Sequence, residues 1–153
     1  MFTRPRATID LNAVVSNWRA LHELTNGGEV AAVVKANAYG HGAEQVSTAL
    51  LHAGCHRFFV ATIDEAVELR AFLGRGPQIL ILDGVFDPDL PLAARHQLTP
   101  VLNSMLQVKA WAASPASDGH AAVIHIDTGM KRLGVPPSEC AAAKAALDSK
   151  SVG

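Results

Sequence analysis

Features that assign proteins to several specialised classes are scarce or missing in this sequence. Its formal net charge is −1, whereas a protein that binds nucleic acid needs an excess of basic residues on one face. No apolar run reaches the length of a membrane span, because Lys, Asn, His or Asp interrupts each one. The sequence therefore predicts neither a nucleic-acid partner nor a membrane partner.

Signals of export are also missing. The opening MFTRPRATID has two arginines but no apolar stretch after them, so it does not resemble a secretory signal. The two cysteines, Cys55 and Cys140, are far apart in sequence and are compatible with a reducing compartment. We predict a cytoplasmic protein. A metal site around Cys55, between His52 and His56, is conceivable, but a helix end leading into a strand is the favoured interpretation, and we predict no metal.

What the sequence does contain is a regular alternation of strand and helix patterns. Apolar runs predict strands over residues 6–11, 30–37, 57–62, 78–84, 98–103 and 121–129. Amphipathic stretches predict helices over residues 12–25, 42–54, 63–74, 88–97, 104–114 and 137–149.

This alternation predicts an α/β fold with a parallel sheet and right-handed crossovers. After the first strand and helix, about five βα units follow along the chain. Two architectures fit, an open doubly wound sheet or part of a (β/α)₈ barrel. A closed barrel needs about 250 residues, so these units would form an incomplete one.

In either architecture, functional groups collect where the strands end. The stretch KANAYGHG follows the most apolar run and begins with Lys35. An amine there loses hydration, which favours the neutral, nucleophilic form that a Schiff-base lysine uses. Tyr39, the single tyrosine, could donate to a phosphate. The alternative is that Lys35 extends to the rim of the sheet and pairs with a carboxylate.

A second polar stretch, HIDTGMKRLG, ends the last predicted strand. Gly129 allows a tight turn after Asp127, and the guanidinium of Arg132 is suited to binding an oxyanion or a phenolate. The alternative is an ordinary Asp-Thr-Gly turn followed by a solvated Lys131–Arg132 pair.

Taken together, the two stretches resemble one family. AVVKANAYGHG is similar to the pyridoxal-phosphate attachment signature of alanine racemases, and every position from Val33 to Gly42 fits it. HIDTGMKRLG resembles the family's DTGM.RLG segment, ATIDLNAVVSNW its N-terminal opening, and FFVATIDEAVELR its second barrel unit. The resemblance covers almost the whole chain.

The resemblance implies a function and roles for three residues. Lys35 would carry pyridoxal 5′-phosphate on its amine and exchange the substrate proton on one face. Tyr39 would reach the cofactor phosphate. Arg132 would lie near the cofactor's phenolic oxygen and the substrate carboxylate. The implied activity is the interconversion of L- and D-alanine, which supplies D-alanine for cell-wall peptidoglycan.

The resemblance also implies parts that are not among these 153 residues. Family members continue through the remaining barrel strands and a β-rich C-terminal domain. They supply a tyrosine for the opposite face and an arginine at the pyridine nitrogen, and a full-length form would be a homodimer. We therefore expect residues 1–153 to be the N-terminal part of the barrel and to be inactive alone. His125 stands where many members have lysine, and Lys131 where a smaller or polar residue is common.

Two other interpretations stay open at this point. One is a non-enzymatic pyridoxal-phosphate carrier, which shares the lysine-bearing strand and lacks a second domain. The other is a fragment without function. NAYGHG and ATIDLNAV favour the racemase.

Overall fold

Five strands lie side by side in the computed structural model, which describes residues 7–148. The strands are β1 (Ala32–Val33), β2 (Arg57–Val60), β3 (Gln78–Ile81), β4 (Thr99–Leu102) and β5 (Val123–Ile124). The helices are α1 (Leu11–Leu24), α2 (Lys35–Tyr39), α3 (Ala43–His52), α4 (Ile63–Leu73), α5 (Leu90–Arg95), α6 (Met105–Ala113) and α7 (Cys140–Asp148).

The order of the strands decides between the two predicted architectures. Each strand pairs in parallel with the next one along the chain, in the order β1-β2-β3-β4-β5. A doubly wound sheet reverses its strand order at a switch point, whereas a barrel adds its strands in sequence. The fold is therefore an incomplete (β/α)₈ barrel, and that prediction is confirmed.

The core lies between the strands and the helices that follow them. Phe58, Ile79, Ile81 and Leu102 are fully buried. The two edge strands are more open, since Val33 is 46% exposed and Val123 is 41% exposed. Apolar side chains at unpaired edges favour association with further strands.

Helix starts follow the local sequence. Asp10 accepts hydrogen bonds from the backbone N–H groups of Asn12 and Ala13, and Ser104 caps α6 by accepting from Gln107. Such caps satisfy backbone donors that have no partner inside the helix. The predicted strand over residues 6–11 is wrong where the structure describes it, because Asp10 is an N-cap and residues 7–9 have no strand partner.

The buried side chain of Arg70 links the loop before β3 to the turn before β4. Arg70 of α4 is only 7% exposed, and its guanidinium donates to the carbonyls of His96, Gly74, Pro77 and Gln97 at 2.7–2.9 Å. Burial lowers the pKa of Arg70, with a further contribution from the nearby charge of Arg75. Four carbonyl acceptors compensate the lost hydration, so Arg70 connects α4 to the turn that precedes β4.

Candidate functional site

The segment that carries Lys35 leaves the sheet by an unusual route. The strand predicted over residues 30–37 is wrong in its last part, because β1 ends at Val33 and residues 36–39 turn left-handed. Their φ angles lie between 51° and 54°, in the αL region. For residues with a Cβ this conformation costs about 1–2 kcal/mol each, so the segment needs compensating contacts.

Local hydrogen bonds supply part of that compensation. The N–H groups of Gly40 and Gly42 donate to the carbonyls of Ala36 and Asn37, both at 3.0 Å. The side chain of Asn37 accepts from the N–H of Ala43 at 2.8 Å. His41 Nδ1 lies 2.8 Å from the carbonyl of Ala38, which can only accept, so this nitrogen carries the proton.

A further contact comes from a residue that sequence analysis missed. Glu65, in the first turn of α4, accepts hydrogen bonds from the N–H of Ala36 and the N–H of Ala61, both at 2.7 Å. Thr62 caps the same helix by accepting from the N–H of Glu65. The spacing Thr62-x-x-Glu65 is a capping-box signal and could have identified Glu65. Its carboxylate links the ends of β1 and β2.

Lys35 itself lies at the carboxyl end of β1 and is half-buried. The ion pairs found within residues 7–148 join Arg57 to Glu29 and Lys144 to Asp148. The alternative in which Lys35 pairs with a carboxylate therefore has no support in that part of the chain.

Tyr39 lies at the end of the left-handed segment and is 60% exposed. Its φ of 54° is strained for an aromatic residue. The exposed phenol leaves the hydroxyl group available to a ligand.

The loop after β5 is organised by its own carboxylate. Asp127 accepts hydrogen bonds from the N–H groups of Gly129 at 2.9 Å and Lys131 at 3.0 Å. The bond from Gly129 contributes most, and together with the bond from Lys131 it holds the pKa of Asp127 below its usual value. Gly134 closes the loop with a φ of 112°, and an added Cβ there would lie 2.7 Å from the Asp127 backbone nitrogen. The predicted Asp-Thr-Gly turn is therefore present.

Arg132 lies in this loop and is exposed. It is at the same end of the sheet as Lys35 but on the opposite edge, after β5 rather than β1. Adjacent strands are about 4.8 Å apart, so four spacings separate the two strands along the sheet. No hydrogen bond or ion pair found within residues 7–148 joins Lys35, Tyr39 and Arg132 to one another, so the structure does not bring these three side chains into contact.

A polar network spans the strand ends between these two edges. Asn103 donates through Nδ2 to the carbonyls of Leu82 and Val101, and its N–H donates to Gln107 Oε1. Its remaining amide oxygen lies 2.7 Å from His125 Nδ1. An amide oxygen only accepts, so the network assigns the proton of His125 to Nδ1. The ring of His125 is thus held by the residue that follows β4.

Two other features lie apart from the predicted residues. A cavity of about 600 Å³ between β1, α3 and α4 is lined by Val34, Asn37, Gln45 and Phe72 among others, but not by Lys35, Tyr39 or Arg132. Cys55 is buried between the end of α3 and the start of β2, as the helix-to-strand interpretation predicted.

From residue 7 to residue 148, no three His, Cys, Asp or Glu side chains are gathered so that they could hold a metal ion. In the same range, none of the helices combines the length and the apolar character that crossing a membrane requires.

Comparison with known proteins gives consistent results. The chain is 44% identical over 133 residues to an alanine racemase of Cereibacter sphaeroides, covering 86% of this chain and 38% of that protein. It is 45% identical over 134 residues to a catabolic alanine racemase of Mesorhizobium japonicum, covering 86% and 35% respectively. The chain thus spans well under half the length of these relatives.

Solved structures agree with the fold. The alanine racemase of Bartonella henselae with covalently bound pyridoxal phosphate superposes with a TM-score of 0.84 at 36% identity, over 93% of this chain and 42% of that one. A histidine racemase of Leuconostoc mesenteroides superposes with a TM-score of 0.81 at 31% identity, over 92% and 38%. The family described as "Alanine racemase, N-terminal domain" matches residues 9–152, so the chain belongs to that family.

Proposed function

We propose that this chain is the lysine-bearing part of a pyridoxal-phosphate-dependent amino-acid racemase, an isomerase whose substrate is alanine. The observation that carries the proposal is the position of Lys35. It lies at the carboxyl end of the first barrel strand, where barrel enzymes place their functional groups, in a segment held in a strained conformation. Relatives at 44–45% identity are alanine racemases.

The residues present fit the cofactor. Lys35 offers an amine with no carboxylate partner within residues 7–148, and the Glu65 carboxylate on the adjacent helix is occupied by two backbone N–H groups. Tyr39 and Arg132 are exposed polar groups that donate hydrogen bonds to anionic oxygens.

Each residue then has a chemical role. When bound, pyridoxal phosphate supplies a conjugated ring that takes up electron density when the substrate Cα loses its proton. Lys35 would hold the cofactor, and its amine would serve as the acid–base group on one face of Cα. Tyr39 donates to the phosphate. Arg132 binds the phenolic oxygen or the substrate carboxylate through its planar fork.

Racemisation needs a second acid–base group on the opposite face of Cα. Tyr39 is the single tyrosine of the chain, and it belongs to the same segment as Lys35. We therefore propose that residues 1–153 do not racemise alanine alone, and that the activity requires the remaining barrel strands, a β-rich domain and a second subunit. A cytoplasmic location and a role in supplying D-alanine for the cell wall belong to the same proposal.

Cofactor attachment is tested on the chain itself. Residues 1–153 are incubated with pyridoxal phosphate and reduced with borohydride, and the modified peptide is identified by mass spectrometry. We expect modification at Lys35, its complete loss in Lys35→Ala, and its retention in Lys109→Ala, a lysine on the exposed surface of α6. Attachment that persists in Lys35→Ala would contradict the assignment.

Substrate and activity are tested in a chimera that joins this chain to the remaining part of the Cereibacter sphaeroides racemase. We expect D-alanine to form from L-alanine with the chimera and not with residues 1–153. Because a histidine racemase shares the fold, L-histidine is assayed in parallel. Attachment at Lys35 without racemisation of any amino acid would favour the cofactor-carrier alternative.

A further inference from the structure

The contacts of Glu65 join three elements at one point. Its two carboxylate oxygens each accept one hydrogen bond of 2.7 Å, Oε1 from the N–H of Ala36 and Oε2 from the N–H of Ala61. Ala36 directly follows Lys35, and Ala61 directly follows β2. In a standard capping box the glutamate would instead bond to the N–H of the N-cap residue, here Thr62. Glu65 therefore departs from its local role and binds the neighbouring strand end.

The hydrogen bond from Ala36 to Glu65 lies where the backbone becomes left-handed. Ala36 is the first residue of the left-handed segment, with φ of 51°. The later residues of the segment are tied down by local bonds, such as that of Gly40 to Ala36 and that of Ala43 to Asn37. The N–H of Ala36 donates to a group outside the segment, the carboxylate of Glu65. Glu65 thus fixes the peptide unit that follows Lys35.

The charge of Glu65 is suited to this position. A carboxylate in the first turn of a helix is stabilised by the positive end of the helix dipole. Each of its oxygens accepts from one backbone donor, and the ion pairs found within residues 7–148 do not join this carboxylate to Lys35. It holds the backbone and leaves the amine available.

We propose that Glu65 is a positioning residue for Lys35. By holding the Ala36 N–H against the ends of β2 and α4, it keeps the left-handed turn formed and fixes the direction in which the Lys35 side chain leaves β1. This inference rests on the proposed function, because it concerns the attachment of pyridoxal phosphate at Lys35.

The decisive variant is Glu65→Gln, which keeps the size of the side chain. An amide presents one acceptor and one donor, so one of the two backbone N–H groups would face another donor. The matched control is Glu68→Gln, the same change one turn later at an exposed position of α4. Both variants remove one negative charge from α4, but only Glu65→Gln changes the two hydrogen bonds to the N–H groups of Ala36 and Ala61.

Two readouts separate positioning from general stability. The first is amide hydrogen exchange of Ala36 and Ala61 without cofactor, which we expect to be at least about tenfold faster in E65Q than in E68Q. The second is the rate of pyridoxal-phosphate attachment at Lys35, measured by absorbance and borohydride trapping at a temperature where circular dichroism shows both variants folded. We expect this rate to fall at least about tenfold in E65Q and to stay within about twofold of the unsubstituted chain in E68Q.

A rescue variant tests the backbone mechanism directly. Glycine adopts a φ of 51° without the steric cost of a Cβ. The double variant with Ala36→Gly and E65Q should attach pyridoxal phosphate at least about threefold faster than E65Q alone. If E65Q does not fold, Glu65→Asp takes its place, since aspartate keeps the charge but is one methylene too short to reach both donors.

The outcomes are distinct. Faster exchange with slower attachment and rescue by Ala36→Gly supports the proposal. Equal exchange in E65Q and E68Q overturns it, and so does faster exchange with an unchanged attachment rate, which would leave Glu65 a stabilising contact only. If the unsubstituted chain attaches no cofactor at Lys35, the proposed function is contradicted, whereas the exchange rates still decide whether Glu65 holds the segment.

Discussion

The segment after β1 and the loop after β5 carry the predicted site residues, but they are held in different ways. Residues 36–39 adopt a left-handed conformation, and Glu65 from another βα unit binds their first N–H. The β5 loop is organised by Asp127 from within itself, through bonds to Gly129 and Lys131. The first segment is therefore held in part by a contact from another βα unit, whereas the turn at Asp127 is held by bonds within four residues of the chain. Four variants or conditions test this difference.

The largest effect is expected at Gly134, where the surrounding backbone leaves no space for a Cβ. A Cβ there would lie 2.7 Å from the Asp127 backbone nitrogen, and the φ is 112°. Gly134→Ala should lower the free energy of unfolding by about 2–4 kcal/mol, from a conformational cost and a clash with backbone. The control is Gly129→Ala, at φ 135° with nothing within 4 Å, which should cost about 1–2 kcal/mol. Urea unfolding measures both free energies of unfolding. Equal losses in Gly134→Ala and Gly129→Ala would contradict the close-contact argument.

The next effect concerns the chemistry of the β5 loop. Arg132→Lys keeps the positive charge but loses the planar fork. In the chimera with the Cereibacter sphaeroides racemase, we expect kcat/KM for alanine to fall at least about tenfold, or about 1.4 kcal/mol. Lys131→Ala, an adjacent change of charge, is the control and should have a smaller effect. Unchanged kinetics in Arg132→Lys would remove Arg132 from the site.

A smaller effect, of opposite sign, is expected in the β1 segment. Ala36 is exposed and has a φ of 51°. Ala36→Gly should therefore raise the free energy of unfolding by about 1 kcal/mol, because glycine avoids the left-handed penalty. The same change in a right-handed helix, Ala49→Gly in α3, should lower it by about 0.5–1 kcal/mol. If both variants are destabilised alike, the segment is not left-handed in solution.

The smallest effect is the pH dependence of the β5 loop. Hydrogen bonds from Gly129 and Lys131 lower the pKa of Asp127 in the folded chain below its ordinary value of 3.8. The contribution of Asp127 is therefore fully present above about pH 3.8 and is lost as the pH falls through the lower folded value.

Exchange of the Gly129 and Lys131 amides, followed by NMR from pH 6 downward, measures this dependence. Asp127→Asn, which cannot ionise, should abolish it. If protection is instead lost well above pH 4, another group controls the loop.

The sequence predicted the alternation of strands and helices well, because the spacing of apolar residues indicates which face of each element is buried. The helix over residues 12–25 and the strand over residues 57–62 are present as α1 and β2, with small shifts at their ends.

The strand predictions failed at three positions. The strand predicted over residues 121–129 is shorter than expected, since β5 ends at Ile124 and the turn at Asp127 follows. At the other two positions a few residues override an apolar pattern. Asp10 starts α1 by bonding to its first N–H groups, and the segment after Val33 turns left-handed.

The candidate site could be predicted only as a set of residue types. Lys35, Tyr39 and Arg132 follow from motifs, and their roles remain predictions. Glu65 was missed because its spacing from Thr62 signals a local cap, whereas its partner Ala36 lies 29 residues earlier in the chain. Asn103 is the last residue of the strand predicted over residues 98–103, but its bond to His125 depends on the pairing of β4 with β5.

The sequence by itself determined the alternation of elements, the apolar core and the chemistry of the two loops, since each follows from residue type and spacing. It also determined the turn at Asp127, whose partners Gly129 and Lys131 lie within four residues. Only the tertiary structure decided the strand order, the hand of the segment after Lys35 and the partners of Glu65. These depend on groups far apart in sequence, and a strained backbone persists only where such groups hold it in place.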